Sequence, residues 1–267
     1  MAKKIRLDVL MTDRLLAESR SKAQAMIMAG VVYVNGVKTD KVGFQVTEED
    51  NIEVRDNACP YVSRGGFKLE KALKVFDFSV DGKVAIDVGA SSGGFTDCML
   101  QNGAVKVYAV DVGSNQLVYK LRTDERVVSL EKTNFRNMPF ELVGEKVDVA
   151  VMDVSFISIT KLMENLRNFL KDDAHCVFLI KPQFEADKND VGKGVITDKK
   201  LHKSIVTNVV YKLAEMNYQL LELDYSPIKG PKGNIEFISH YVIREDVDTS
   251  KYDDMISYAV NSAHGEL

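Results

Sequence analysis

Apolar positions recur along this chain with two periods, and the change between them divides it. Near the start, Leu7, Leu10, Met11 and Leu15 fall three and four residues apart, which predicts a first helix. Ser19 or Ser21 is placed to cap a second helix, Lys22 to Met28, that stops at Gly30. The period then shortens. Val31 to Val34 and the run from Val37 flank Asn35-Gly36 and predict a hairpin, with further short strands at 45–46 and 51–54. From residue 67 the pattern changes again, to a helix over 67–76. Short, β-branched apolar runs follow at 84–88, 105–110, 127–130, 147–153 and 176–181, as expected of strands buried on both faces. Helical stretches from residue 95 and at 114–122, 159–170 and 199–216 alternate with them. Strands at 219–223 and 235–243 and a terminal helix from about residue 248 complete the pattern. Such alternation predicts a mostly parallel sheet, and the polar, glycine-bearing stretches 183–197 and 226–234 read as loops.

Composition acts mainly by exclusion. The 267 residues suffice for one large domain or two modest ones. A formal net charge of −4 gives no global basic signal, so any nucleic-acid contact must come from a local patch. Arg6, Arg14, Arg20 and Lys22 cluster on the helical part of the N-terminal segment and could supply one; a solvated helix face is the plainer alternative. No apolar run approaches ~18 residues, and the N-terminus lacks an apolar core, so neither a membrane span nor a signal peptide is expected. Cys59, Cys98 and Cys176 are scattered, and His175, His202, His240 and His264 show no ligand spacing. The expectation is a reduced, cytoplasmic protein with no disulfide framework and no metal.

The candidate chemistry gathers at predicted strand ends. Val84 to Val88 leads into Gly89, Gly93 and Gly94 and then into a helix starting near Phe95. Strand, glycine turn and helix open many nucleotide-binding α/β domains, because glycines admit close backbone approach and the helix N-terminus offers free N–H groups. The spacing Gly-x-x-x-Gly-Gly is not that of dinucleotide enzymes, and a tight turn with no ligand is the bland alternative. Asp111 closes the next strand, where an acidic residue commonly holds ribose hydroxyls. Gly89, Asp111, Asn134, Asp153 and Lys181 all fall at or just after strand ends, where open α/β sheets bind ligands. Singly, Lys181 could be a solvated strand end, Asp153 a helix cap and Glu236 an edge-strand charge; their common location carries the functional reading. Lys68, near a helix start, opposes the helix dipole, so stability does not account for its placement.

Two resemblances sharpen this. The run from Ser19 to Gly36 resembles the small RNA-binding domain, the S-four domain, shared by a ribosomal protein and many pseudouridine synthases. The stretches Ser63-Arg-Gly-Gly-Phe-Lys-Leu69, Asp87-Val-Gly-Ala-Ser-Ser-Gly-Gly-Phe95, Val151-Met-Asp-Val-Ser-Phe156, Leu179-Ile-Lys-Pro-Gln-Phe184 and Gly233-Asn-Ile-Glu-Phe237 resemble the motifs of the TlyA, or haemolysin A, family. These are S-adenosyl-L-methionine-dependent ribosomal RNA 2′-O-methyltransferases with a catalytic domain similar to FtsJ. The resemblance implies an α/β fold: a Rossmann-like methyltransferase sheet, mostly parallel with the last strand antiparallel, behind a small N-terminal α+β RNA-binding domain. The expected division is an RNA-binding domain at 1–57, a linker at 58–66 and a catalytic domain at 67–267.

The resemblance further implies a catalytic tetrad at Lys68, Asp153, Lys181 and Glu236, with Lys181 as the base that takes the ribose proton. Lys68 would favour a neutral Lys181, and the two carboxylates would oppose that. Cofactor contacts would come from Gly89, Gly93, Gly94, Phe95, Asp111, Asn134 and Asp153, and RNA contacts from Arg6, Arg14, Arg20, Lys22 and Arg64. Asn134 stands where FtsJ-like enzymes often have aspartate. The implied substrate is a ribose, of cytidine in the family's pattern, in ribosomal RNA within ribosomal subunits. A nicotinamide oxidoreductase, a membrane-lytic protein and a non-catalytic RNA-binding module are the competing readings.

Overall fold

The computed structural model describes residues 4–28, 30–54, 59–187, 190–192 and 194–267, with the backbone alone at position 231. The chain forms two compact units, Met1–Pro60 and Tyr61–Leu267. The boundary expected at 57 and 58 lies outside the described residues.

In the first unit, β1 (Ile5–Arg6) runs into α1 (Leu7–Asp13), followed by α2 (Arg20–Met28). Then come β2 (Val32–Val34), β3 (Val37–Lys38), β4 (Gln45–Val46) and β5 (Ile52–Val54). β1 pairs with β4, and β3-β2-β5 form a three-stranded antiparallel sheet. The Asn35-Gly36 turn has positive φ at both residues, 50° and 77°, which matches the right-handed twist of the strands it joins. Leu7, Leu10, Met11, Ala23 and Ile27 are buried and form the core with β-strand valines. Leu15, expected on the same helix face, is not part of it. α1 ends at Asp13, and Leu15 has φ 57° and is 90% exposed.

The second unit opens with residues 61–66, expected as the end of a linker, packed onto the α/β body. Val62 N–H donates to Asp97 Oδ2 at 2.8 Å, and a Cβ at Gly94 would lie 2.9 Å from Gly66 N. α3 (Gly66–Val75), β6 (Val84–Val88), α4 (Gly94–Gln101), β7 (Lys106–Val110), α5 (Tyr119–Arg122) and β8 (Val127–Leu130) follow. The chain then returns through β9 (Val147–Met152), α6 (Met163–Arg167), β10 (Leu170–Ile180), α7 (Pro182–Glu185), α8 (Lys199–Glu215), β11 (Tyr218–Tyr225), β12 (Phe237–Ile243) and α9 (Tyr252–Glu266). The seven-stranded sheet has the order β11-β12-β10-β9-β6-β7-β8. Pairings are parallel from β10 to β8, and β12 is antiparallel to both its neighbours. The chain winds outward from β6 through β8 and restarts at β9 on the other side of β6. That reversal opens a crevice at the carboxyl ends of β6 and β9. Apolar strand residues such as Ile86, Met152, Phe178 and Ile180 are buried to 2% exposure or less, each contributing about 1.5–3 kcal/mol of transfer free energy.

Three elements differ from the pattern. Residues 114–118 are not helical, because Glu131 accepts hydrogen bonds from the N–H groups of Asn115, Gln116 and Leu117 and satisfies them outside a helix. The helix expected over 159–170 is a 3₁₀ turn, Ile159–Lys161, and the short α6; β10 already starts at Leu170, where it pairs with Val147. Pro182 does more than end a strand: it opens α7, with its missing N–H at a position where helices leave donors unpaired. Among the described residues, no helix is long and apolar enough to cross a membrane.

Candidate active site

β6 ends in Asp87-Val88 and turns sharply at Gly89, whose φ is 85°. A Cβ there would lie 2.8 Å from the carbonyl oxygen of Asp153, so only glycine lets the two strand ends meet. Asp153 N–H donates to Val88 O at 3.1 Å, which fixes the carboxylate beside the turn. Asp87 lies beneath it, fully buried, and accepts a 2.6 Å hydrogen bond from Thr96 Oγ1 on α4. Burial pushes its carboxyl up to about 7, against the Thr96 hydrogen bond.

Two cavities meet at this point. The larger, about 520 Å³, is lined by Arg64, Lys68, Gly89, Gly94, Phe95, Asp153, Ser155 and Lys181, with Lys229 and Lys232 from the 226–234 segment. The smaller, about 290 Å³, is lined by Gly89, Asp111, Asp153 and Ser155 together with Val88, Val110, Val112 and Ile157. Gly89, Ser91, Asp153 and Ser155 belong to both. Asp111 accepts from Ser91 N–H at 2.8 Å and from Gly113 N–H at 2.7 Å, so both its oxygens are oriented by backbone.

Lys68 on α3, Asp153 and Lys181 just past the ends of β9 and β10, and Glu236 just before β12 converge. Lys68 Nζ lies 3.2 Å from Asp153 Oδ2 and 2.7 Å from Glu236 Oε2. Lys181 Nζ lies 2.5 Å from Asp153 Oδ1 and donates to Ser155 Oγ at 3.1 Å. Burial drives the Lys68 ammonium down, but the Asp153 and Glu236 carboxylates outweigh it and hold Lys68 above the ordinary lysine value. Burial likewise raises Asp153, and the two lysines outweigh it and hold it below the usual carboxylate range. Glu236 is fully buried, lines neither cavity, and reaches Lys68 rather than Lys181.

Other expected residues separate from this group. Gly93 and Asn134 line neither cavity. Gly93 precedes α4 with φ 98°, and Asn134 Oδ1 accepts from Arg136 N–H at 3.1 Å to cap a turn, while its neighbours Thr133 and Phe135 line the smaller cavity. Arg64 is exposed on the larger cavity. In the first unit, Arg6 and Arg20 both bind the buried Asp8, at 2.9 Å each, and Arg14 donates to the carbonyls of Glu48 and Asp50. Lys22 is exposed and makes no side-chain ion pair among the described residues.

Three residues were not singled out from the sequence: Ser155, Gln183 and Phe156. Ser155 receives Lys181, and Gln183 donates to Glu236 Oε1 at 3.3 Å. Phe156 is 90% exposed at φ 65°, lines the smaller cavity and has its ring 5.0 Å from that of Phe184. All three lie inside the quoted motifs, so the available signal was the company they keep.

Comparison with known proteins gives matches in both units. Residues 5–52 match the S4 domain model. Hemolysin A of Brachyspira hyodysenteriae is 49% identical over 241 residues, covering 90% of this chain and 100% of that protein. The 16S/23S rRNA (cytidine-2'-O)-methyltransferase TlyA of Mycobacterium tuberculosis is 40% identical over 239 residues, covering 89% of each. A solved structure from Streptococcus thermophilus is 42% identical with TM-score 0.79, covering 100% of this chain and 98% of its own. Residues 61–242, which hold the whole Lys68–Asp153–Lys181–Glu236 group, match the FtsJ-like methyltransferase model, and the chain belongs to that family.

Proposed function

We propose that this chain transfers a methyl group from S-adenosyl-L-methionine to a ribose 2′-hydroxyl of ribosomal RNA. The observation that carries the reading is the meeting of two cavities at Asp153: one suited to a nucleoside, the other lined by Lys68, Asp153 and Lys181. The relative from Mycobacterium tuberculosis has that activity in its name.

The smaller cavity fits the cofactor's nucleoside. Asp111, pre-oriented by two backbone donors, offers its remaining lone pairs to ribose hydroxyls, and Val88, Val110, Val112 and Ile157 supply apolar walls for a flat ring. The Gly89 turn admits close approach of the rest of the molecule towards Asp153. When bound, the cofactor supplies a methyl group on a sulfonium, which leaves as a neutral thioether when the oxygen–carbon bond forms.

The residues of the larger cavity handle the proton. A ribose hydroxyl attacks well only if its proton has somewhere to go. Lys68 is held as an ammonium and has no lone pair to offer. Asp153 is held as a carboxylate by two cations and is a weak base. Lys181 is the remaining candidate: once it has given its own proton to solvent it takes the hydroxyl proton, while Asp153 and Ser155 hold its Nζ in place. Phe156, at the smaller cavity, offers an exposed ring on which a base can stack. The S4 domain supplies a second RNA contact through the exposed Lys22 and the half-exposed arginines around Asp8.

The test is incubation with purified ribosomal subunits and labelled cofactor, followed by nucleoside digestion. The expected product is a 2′-O-methylated nucleoside in the rRNA. A methylated base, or no labelled RNA from either subunit, contradicts the reading.

A further inference from the structure

Glu236 uses one oxygen for Lys68, and its other oxygen is held by a group to which the chemistry above gives no role. Oε2 binds Lys68 Nζ at 2.7 Å, and Oε1 accepts from Gln183 Nε2 at 3.3 Å. All three side chains are buried, Glu236 at 0%, Lys68 at 6% and Gln183 at 8% exposure. The 226–234 segment closes over the same carboxylate. Ser226 N–H donates to the Glu236 carbonyl at 2.8 Å, and a Cβ at Gly230 would lie 2.1 Å from Oε1, so only backbone fits there.

Gln183 stands on α7 two residues after Lys181. One short helix therefore sets Lys181 against Asp153 and Glu236 against Lys68. Its amide is also neutral. Two ammoniums and two carboxylates balance in this cluster, and an amide donor completes Glu236 without disturbing that balance. Gln183 Oε1 is buried without a hydrogen-bond partner, a cost that the fold tolerates while Nε2 faces Glu236.

We propose that Gln183 is a positioning residue for methyl transfer: its amide holds Glu236 against Lys68 and, through Lys68, sets how Asp153 is shared between the two lysines. This rests on the methyltransferase reading above. Gln183 lines neither cavity and acts through Glu236, so it is not a catalytic residue.

The experiment compares full-length wild type with Gln183→Leu and Gln183→Glu. Single-turnover transfer from labelled S-adenosylmethionine to saturating ribosomal subunits is followed from pH 6 to pH 9, with cofactor affinity measured by calorimetry. Gln183→Leu lowers the transfer rate about tenfold or more, the scale of a lost hydrogen bond to a charged group, and leaves cofactor affinity unchanged. Gln183→Glu sets a second carboxyl beside Glu236. Two carboxyls that close share a proton, and the protonated one donates the hydrogen bond that the amide gave. Its rate is therefore low at pH 9 and recovers towards wild type at pH 6. That recovery also separates positioning from misfolding if Gln183→Leu folds poorly. Nitrogen-15 NMR of the lysine Nζ groups reads the same claim without transfer: the Lys68 signal shifts in Gln183→Leu and returns in Gln183→Glu at pH 6. Wild-type rates in both variants, a Gln183→Glu to wild-type ratio flat with pH, or an unmoved Lys68 signal overturns the proposal. If wild type methylates no RNA, the functional reading fails, and the NMR arm still decides the role of Gln183.

Discussion

In the first unit one carboxylate, Asp8, lies between two cations, Arg6 and Arg20; in the second, Asp153 lies between Lys68 and Lys181. On paper the two arrangements are alike, but their surroundings differ. The arginine side chains are 42% and 54% exposed, and Gln24 adds a further donor to Asp8 at 2.7 Å. The lysine side chains are each 8% exposed and line a cavity next to a second one. A guanidinium does not give up its proton, so Arg6 and Arg20 can hold a fold or a phosphate but cannot move a proton. A lysine amine can. The same triad of charges is a clamp at a surface and a proton-handling site in a cavity.

Lys68 is where the two triads differ most. Removing it leaves Asp153 and the fully buried Glu236 without their shared cation. Lys68→Ala is expected to cost about 3–5 kcal/mol of unfolding free energy, the range for removing one partner of a buried pair. Urea unfolding followed by circular dichroism checks this, and a loss under about 1 kcal/mol would mean that Lys68 does not neutralise the cluster.

Next comes the cofactor side. Asp111→Ala is expected to weaken S-adenosylmethionine binding by about 1.5–3 kcal/mol, measured by calorimetry on the folded variant. An unchanged affinity would place the nucleoside elsewhere.

At Asp8 the effect is smaller, because its partners are half in water. Asp8→Asn is expected to destabilise the first unit by well under half of the Lys68→Ala effect. Hydrogen bonds from Arg6, then from Gln24 and Arg20, outweigh burial and hold the Asp8 carboxyl well below the usual carboxylate range. A folded value below the unfolded one, about 3.9, contributes stability above that pH and loses it as pH falls through the folded value. The difference between wild type and Asp8→Asn should therefore shrink below about pH 4 in pH-dependent unfolding.

The smallest effect is at Lys22. Lys22→Ala should leave stability unchanged and make the log–log salt dependence of subunit binding shallower by about 0.7–0.9, as for one lost phosphate contact. An identical slope would mean that this lysine does not reach RNA.

Much of this was legible in the sequence, for reasons that can be named. Buried parallel strands must be apolar and short, so β6, β7 and β9 stood out, and the carboxyl-end rule grouped Gly89, Asp111, Asn134, Asp153 and Lys181, all of which but Asn134 line one of the two cavities. What was hidden was partnership. That Arg6 and Arg20 share Asp8, and that Arg14 reaches the carbonyls at 48 and 50, does not show in the sequence. Residues 114–118 read as helix because Glu131 lies sixteen residues beyond Asn115, too far along the chain for a local pattern to register. Likewise Glu236 lies 168 residues from Lys68, and only the fold shows that it backs Lys68 rather than facing the cavity.

What separates Lys181 from the arginines at Asp8 is the capacity to accept a proton. Single-turnover methyl transfer to saturating ribosomal subunits, wild type against Lys181→Arg across pH 6 to 9, tests it directly. The substitution keeps the positive charge beside Asp153 and removes the base. The predicted result is a loss of about 10²–10⁴ in rate at every pH, with cofactor and subunit affinity retained. Transfer by Lys181→Arg at near the wild-type rate would show that Lys181 serves only as a charge, as Arg6 and Arg20 do at Asp8.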